Sequence, residues 1–225
     1  MAEFTVQFGR DGGSAAADGR LDAPAFHRNH EPIWTVLGPF LEGRSGHVLE
    51  VGSGTGQHAV TYAARTPAIV WWPSDASPAH LASIEAWRVS CGLDNIRPPQ
   101  RLDLADPDWR LAADEVGAAG GVLAIFCANV LHIAPWRVAE GLFAGAGRHL
   151  RPEGRLFVYG PFMRDGKHTA PSNAAFDASL RRENREWGVR DIADLAKLAD
   201  GSGLRLSETA DMPANNLVLT FARER

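Results

Sequence analysis

The chain is poor in several things at once. It has two cysteines in 225 residues, Cys91 and Cys127. That is too few for a disulfide framework and too far apart for a cysteine-built zinc cage, so a reducing cytoplasm is the expected location. No apolar run approaches the roughly 20 residues of a membrane-spanning helix, so no membrane segment is expected. The start, MAEFTVQFGRDGG, has no basic stretch followed by an apolar one, so no secretory leader is expected either. Charge is nearly balanced, 27 acids against 23 bases for a net −4. Nucleic acid or an anionic membrane is therefore an unlikely partner, since both call for concentrated Lys and Arg. The eight histidines are scattered, and no metal is expected. Repeats, low-complexity blocks and internal linkers are also missing, which leaves one core.

What is present is an alternation of short apolar runs and helical patterns. Residues 1–23, rich in Gly, Ala and Asp, read as a flexible lead-in, with FTVQF at 4–8 a possible short strand. A single domain is expected over 24–225. Helical spacing covers Pro24 to Leu41, with Pro32 marking a break or a fresh start. Strands are predicted at 47–51, 68–72, weakly at 97–102, at 121–128 and at 155–160. Helices are predicted from Gly56 to Arg65, from a Ser77 cap, from Pro135 to Leu150, from a Ser172 cap and from an Asp191 cap. Two last strands, 204–210 and 216–222, have no helix between them and predict an antiparallel edge hairpin. The fold class is α/β, a mostly parallel sheet of seven strands with helices on both faces.

In such a sheet ligands sit beyond the carboxyl ends of the strands. After the first strand stands Glu50-Val51-Gly52-Ser53-Gly54-Thr55-Gly56. Alternate glycines let backbone approach a ligand without Cβ collisions. The spacing is not that of a dinucleotide loop, because Gln57 stands where a third glycine or alanine belongs. The pattern E-x-G-x-G-x-G resembles the S-adenosylmethionine loop of Rossmann-like methyltransferases. Glu50, Gly52, Ser53, Gly54, Thr55 and Gly56, with His58 just beyond, are the expected cofactor contacts; for Glu50, satisfying nearby amides is the alternative. Asp75 ends the second strand and is suited to a ribose diol, or to capping the next helix. Asp103 and Leu104 follow the third strand on the adenine side, with Asp106 and Asp108 as alternatives and Trp109 a further candidate for the adenine pocket.

Further motifs narrow the resemblance: RNHEPI (28–33), SGTGQHA (53–59), PSD (73–75), IFCANVLHIAPW (125–136), GLFAGA (141–146), YGPF (159–162), SNAAFDASLR (172–181), EWGVRD (186–191) and MPANN (212–216). Together, from about Leu21 onward, they resemble a family of methyltransferase-like proteins that includes the methyltransferase-like protein 26 group of animals and many bacterial proteins. The resemblance implies a class I methyltransferase fold with S-adenosylmethionine as cofactor, S-adenosylhomocysteine as product and a small-molecule methyl acceptor. His30 stands where that family usually has lysine, and is a candidate substrate contact.

At the reacting end, Asn129 is expected to meet the cofactor amine or orient substrate. His132, with an ordinary pKa of about 6.5, is a candidate base, alongside Tyr159; a packing histidine is the alternative. The helix at 24–41 is expected to fold over the cofactor site, with Arg28 and Asn29 near the methionyl carboxylate; a purely structural helix is the alternative. Arg164, Asn173, Asp177, Asn215 and Asn216 are further substrate candidates. Asn129 is not followed by Pro-Pro-Tyr or Pro-Pro-Phe, which moves nucleic-acid bases down the list. Two rivals stay open: a non-catalytic cofactor-binding sensor of the same fold, and a nicotinamide-dependent oxidoreductase. The second is disfavoured by Gln57 and by Met163 standing where a Tyr159-x-x-x-Lys pair would need lysine.

Overall fold

The computed structural model describes residues 16–109, 111 and 113–223. The elements in chain order are α1 (Pro24–Leu41), β1 (Gly46–Val51), α2 (Gln57–Arg65), β2 (Ile69–Asp75), α3 (Pro78–Cys91), β3 (Gln100–Arg101), α4 (Ala113–Ala118), β4 (Val122–Ala128), α5 (Trp136–His149), β5 (Leu150–Gly160), β6 (Phe162–Arg164), β7 (Lys167–His168), α6 (Pro171–Glu183), β8 (Arg190–Asp191), α7 (Ile192–Asp200), β9 (Leu204–Met212) and β10 (Asn216–Arg223). Seven strands form one sheet in the order β3-β2-β1-β4-β5-β10-β9. β3, β2, β1, β4 and β5 are parallel, and β10 runs antiparallel to both β5 and β9. The expected sheet and its edge hairpin are therefore present.

The reason for the apolar runs is burial on both faces. From Ala124, alternate residues of β4 go to opposite cores: Ala124 and Phe126 pack with α1 and α2, Ile125 and Cys127 with α5 and α7. A register shift between Val122 and Ala124 lets Leu123 join Ala124 on the first face. On α1, Ile33, Leu37 and Leu41 repeat every four residues and are each about 1% exposed. At roughly 2 kcal/mol per side chain, that stripe stabilises the fold by about 6 kcal/mol.

The same stripe explains the first departure from expectation. α1 runs through both Pro32 and Pro39 without a break. Each proline removes a helical hydrogen bond, and the continuous buried face offsets that loss. Two caps also differ. The backbone N–H of Ser77 donates to Asp75 Oδ1 at 2.9 Å, so the carboxylate, not the serine hydroxyl, serves this helix start. α6 begins at Pro171 with Ala170 as its cap residue, leaving Ser172 inside the helix. Asp191 does cap α7, accepting from Ala193 N at 2.8 Å. The third strand shrinks to two residues plus a bridge between Trp71 and Ile96. α4 and a small sheet of order β7-β6-β8 had no periodic signal long enough to read.

The lead-in is pinned at its end. Leu21 N–H donates to Ser83 Oγ at 2.9 Å, Ala23 N–H to Gln57 Oε1 at 2.8 Å, and the Trp87 indole to Leu21 O at 2.9 Å. Gln57, only 2% exposed, also accepts from Thr55 Oγ1 and donates to Asp22, so it ties this strap to the glycine loop. The FTVQF stretch lies outside the described residues.

Candidate active site

A cavity of about 890 Å³ opens along the carboxyl ends of the parallel strands, from Asp103 and Leu104 beyond β3 to the turn before β10. Its floor is the glycine loop. Gly52, Gly54 and Gly56 all have left-handed backbone, with φ of 63°, 58° and 91°. A Cβ on Gly52 would stand 2.5 Å from Val130 Cγ2, and one on Gly56 would stand 2.9 Å from Ile84 Cα. Gly52 and Gly56 are thus demanded twice, by dihedral and by space, and Gly54 by dihedral.

Loop and second strand are stitched together. Ser53 N–H donates to Ser74 O at 2.9 Å, and Ser53 Oγ accepts from Ser74 N–H at 3.1 Å. Asp75 Oδ2 accepts from Gly54 N–H at 2.9 Å. Asp75 Oδ1 takes the Ser77 amide and lies 3.0 Å from His80 Nδ1. Sequence reading offered ribose or helix start as the role of Asp75. The carboxylate does hold the helix start and the loop, and it also lines the cavity. His80 lines the same wall and was missed; its signal was its place in the first turn after Ser77-Pro78, facing that acid.

Glu50 sits under the loop, 2% exposed, with Oε2 lacking any hydrogen-bond partner. Burial, and then the nearby Asp75 charge, push its carboxyl pKa up to about 8. An orphaned carboxylate oxygen on a cavity wall is a receptor for a cationic donor. Thr55 and His58 line the wall beside it. The His58 ring is held by Asn29 Oδ1 at 2.9 Å from Nε2, and burial drives its pKa down to about 3, so it is neutral and donates that proton.

α1 brings Arg28 and Asn29 to the cavity. The Tyr159 hydroxyl accepts from Asn216 Nδ2 at 3.1 Å. Burial raises its pKa, and hydrogen bonds from Asn216 and Asn29 and the Arg28 charge partly offset that rise. Asn129 has left-handed backbone, φ 58°, and its N–H donates to Tyr159 O at 2.9 Å. His132 lines the cavity with its pKa lowered to about 4, first by burial and then by the Arg190 charge. Asn173, Asn215 and Asn216 complete this end, Asn173 Nδ2 donating to Asn215 O at 2.9 Å.

Five candidates lie elsewhere, the first being Gly56, which packs against Ile84 of α3 and does not line the cavity. His30 turns away from the cavity, with Nδ1 at 2.9 Å from Phe26 O and its ring stacked on Phe26. Asp177 is spent within its own neighbourhood, accepting from the Val189 backbone N–H at 2.7 Å and from the Arg181 side chain Nε at 2.9 Å. Arg164 pairs with Asp211 at 3.0 Å and borders a separate cleft of about 420 Å³. Trp109 is a core residue stacked on His149 at 5.8 Å, packed too closely against Gly145 to face the adenine side. Asp103 stays at the cavity rim, exposed, with Oδ1 closing a turn onto Ala105 N–H. Among the described residues no metal-holding cluster occurs.

The sheet order, the glycine loop and the strand-end acids define the Rossmann-like fold of the class I methyltransferases. The chain belongs to the family described as Protein of unknown function (DUF938), which matches residues 20–223. Solved structures with the same fold include an O-methyltransferase family protein from Burkholderia thailandensis, with a TM-score of 0.70 at 16% identity over 89% of this chain and 57% of that one. The S-adenosylmethionine-dependent methyltransferase SibL, in its apo form, gives 0.64 at 22% identity over 89% and 58%. CalO1, a methyltransferase in calicheamicin biosynthesis solved with S-adenosylhomocysteine bound, gives 0.63 at 16% over 80% and 49%. At these identities the likeness is one of fold. A release factor glutamine methyltransferase from Cereibacter sphaeroides is 33% identical over 49% of this chain and 45% of its own length. The chain thus spans less than half of that relative.

Proposed function

We propose that this protein is an S-adenosylmethionine-dependent methyltransferase acting on O, N or S of a small molecule. The observation that carries the reading is Glu50: a buried carboxyl group with a partnerless oxygen, on a cavity lined by two left-handed glycines, Gly52 and Gly54. The cofactor has an ammonium for that oxygen and methylene groups for the glycines. Arg28 offers its carboxylate a guanidinium. Asp75, which still has acceptor capacity beside its three partners, and His80 face the ribose, and Asp103 and Leu104 the adenine. When bound, the cofactor supplies a sulfonium methyl group that an acceptor lone pair takes in line, leaving S-adenosylhomocysteine and a proton. The chain's part is to hold the acceptor in line, dry and correctly protonated. Asn129, Tyr159 and Asn216 orient it, and neutral His132 accepts a hydrogen bond or the proton. The motif resemblance to the methyltransferase-like protein 26 group supports the same reading. A cytoplasmic location fits the two free cysteines, and no described helix is long and apolar enough to cross a membrane.

One observation favours the sensor reading: a pKa of about 4 makes His132 a weak base near neutral pH. Two measurements divide the readings. Calorimetric titration with S-adenosylhomocysteine, beside NADH, is expected to give micromolar binding of the former alone; binding of neither, or of NADH, refutes both methyl readings. Formation of S-adenosylhomocysteine from the methylated cofactor across an acceptor panel then separates enzyme from sensor, because a sensor never makes it.

A further inference from the structure

Two large apolar side chains are exposed among the described residues, Val89 and Phe176. Val89 is remote from the cavity, whereas Phe176, 41% exposed, lines it. Its ring stands edge-on to the His132 imidazole at 5.5 Å. An open aromatic face on a cavity wall, with Pro161 and Pro213 also lining that end, is a surface on which a ring packs.

The second observation is the distribution of charge. Glu50, Asp75 and Asp103 line the cavity at the ends of β1, β2 and β3, and Arg28 stands on α1. From the end of β4, across β5 and α6, to the turn before β10, no Asp, Glu, Lys or Arg lines the described cavity. The polar side chains there are the amides of Asn129, Asn173, Asn215 and Asn216, the hydroxyls of Tyr159 and Ser172 and the His132 imidazole, all uncharged. Arg164 and Lys167 belong to the separate cleft on the far side of Asn215 and Asn216. Two cations act on this half from outside its lining, Arg28 on Tyr159 and Arg190 on His132; a charged ligand entering it still loses hydration that neutral amides only partly replace. An uncharged ring loses little and gains the face of Phe176. A hydroxyl on it both donates and accepts, which suits a neutral imidazole beside amide donors.

We infer that the half of the cavity between β4 and the edge hairpin is the acceptor subsite, and that it selects an uncharged planar ring bearing a hydroxyl, laid against Phe176. This rests on the methyltransferase reading above and names its substrate class. The test uses three probes that share one ring: catechol, uncharged; 3,4-dihydroxybenzoate, an anion; and dopamine, a cation. Each is titrated calorimetrically into the full chain, with and without saturating S-adenosylhomocysteine. Catechol is expected to bind, with the two charged probes at least tenfold weaker. Phe176→Ser is expected to weaken catechol about five- to tenfold, while Phe176→Trp keeps it; the exposed position lets both variants fold. Tighter binding of the anion would bring Arg28 into the acceptor subsite, and tighter binding of the cation would bring in the acids; either overturns the inference. So does catechol that fails to bind, or that binds Phe176→Ser unchanged. The S-adenosylhomocysteine isotherm is read separately: its failure removes the cofactor reading, and the titrations of the free protein still score the subsite.

Discussion

Glu50 concentrates the electrostatics of the site in one side chain. Its carboxyl pKa is about 8 in the fold against an ordinary 4.5, so between those values the folded chain holds a proton that the unfolded chain has lost. Stability contributed by this group is therefore full below about pH 4.5 and declines as pH rises toward 8. Glu50→Gln removes that dependence, and its melting temperature is expected to exceed that of the wild type at pH 8 and to match it at pH 4.5. The ligand acts in the opposite sense. An ammonium against Oε2 favours the ionised carboxylate, so S-adenosylhomocysteine binding should release a proton at pH 7 and tighten from pH 6 to 8. Calorimetry in buffers of different ionisation enthalpy reads that proton. In Glu50→Gln the proton release should vanish and affinity should fall at least tenfold; unchanged affinity would remove Glu50 from the site. Asp75 needs a subtler substitution, because Asp75→Ala also strips the Gly54 and Ser77 amides of their acceptor. Asp75→Asn keeps one acceptor oxygen, and about tenfold weaker binding in a variant that still melts cooperatively is the expected result. The glycines and both acids were legible because spacing after a strand is a sequence property. The pairing of Asp75 with His80 was signalled only by the place of His80 in the first turn of α3; that the two side chains meet depends on how α3 rolls against β2.

At the scale of elements, the reacting end depends on a clamp that no motif announced. Arg190 Nε donates to Leu131 O at 3.0 Å, and its Nη2 donates to Ala134 O at 2.5 Å and to Glu186 O at 2.8 Å. Gly188 N–H adds a bond to His132 O at 3.0 Å. The turn that carries His132 is thus held by β8 and the loop before it, 56 residues later in the chain. Arg190→Met should destabilise the protein by about 1–3 kcal/mol in urea unfolding. It should also raise the His132 pKa, followed by its imidazole proton resonance, because a cation that disfavours the imidazolium is removed. An unmoved His132 titration would show that burial alone sets its protonation. EWGVRD at 186–191 was noticed in the sequence only as a motif; a side chain that binds backbone carbonyls leaves no pattern of its own. Long apolar strands and amphipathic helices were readable because each repeats a period. Two-residue strands and the passage of α1 through Pro32 were decided by tertiary packing, which local preference does not encode.

The whole molecule is two cores joined by one sheet, and the cavity lies where both meet the carboxyl edge. α1 belongs to the first core through Ile33, Leu37 and Leu41, and α5 and α7 to the second. Removing residues 1–40 would therefore unfold the protein rather than merely open its site. A question about α1 as a cover is better put with Asn29→Ala, which cuts its link to His58 and leaves the buried stripe intact. A ligand bridging β1, β2, β4 and α1 can bind only the folded chain, so it must raise the melting temperature. At a ligand concentration one hundred times the dissociation constant, the gain is about 2.7 kcal/mol. For a chain of this size that corresponds to roughly 5–10 °C. S-adenosylhomocysteine should produce that shift and NADH none. Asn29→Ala should retain a smaller part of it. Gly52→Ala should lose it, because the new Cβ meets Val130 where the loop floors the cavity. Its own melting point should fall as well, since φ of 63° disfavours any side chain. A wild-type protein whose melting point ignores S-adenosylhomocysteine at millimolar concentration would leave the fold standing and remove the methyl-transfer reading.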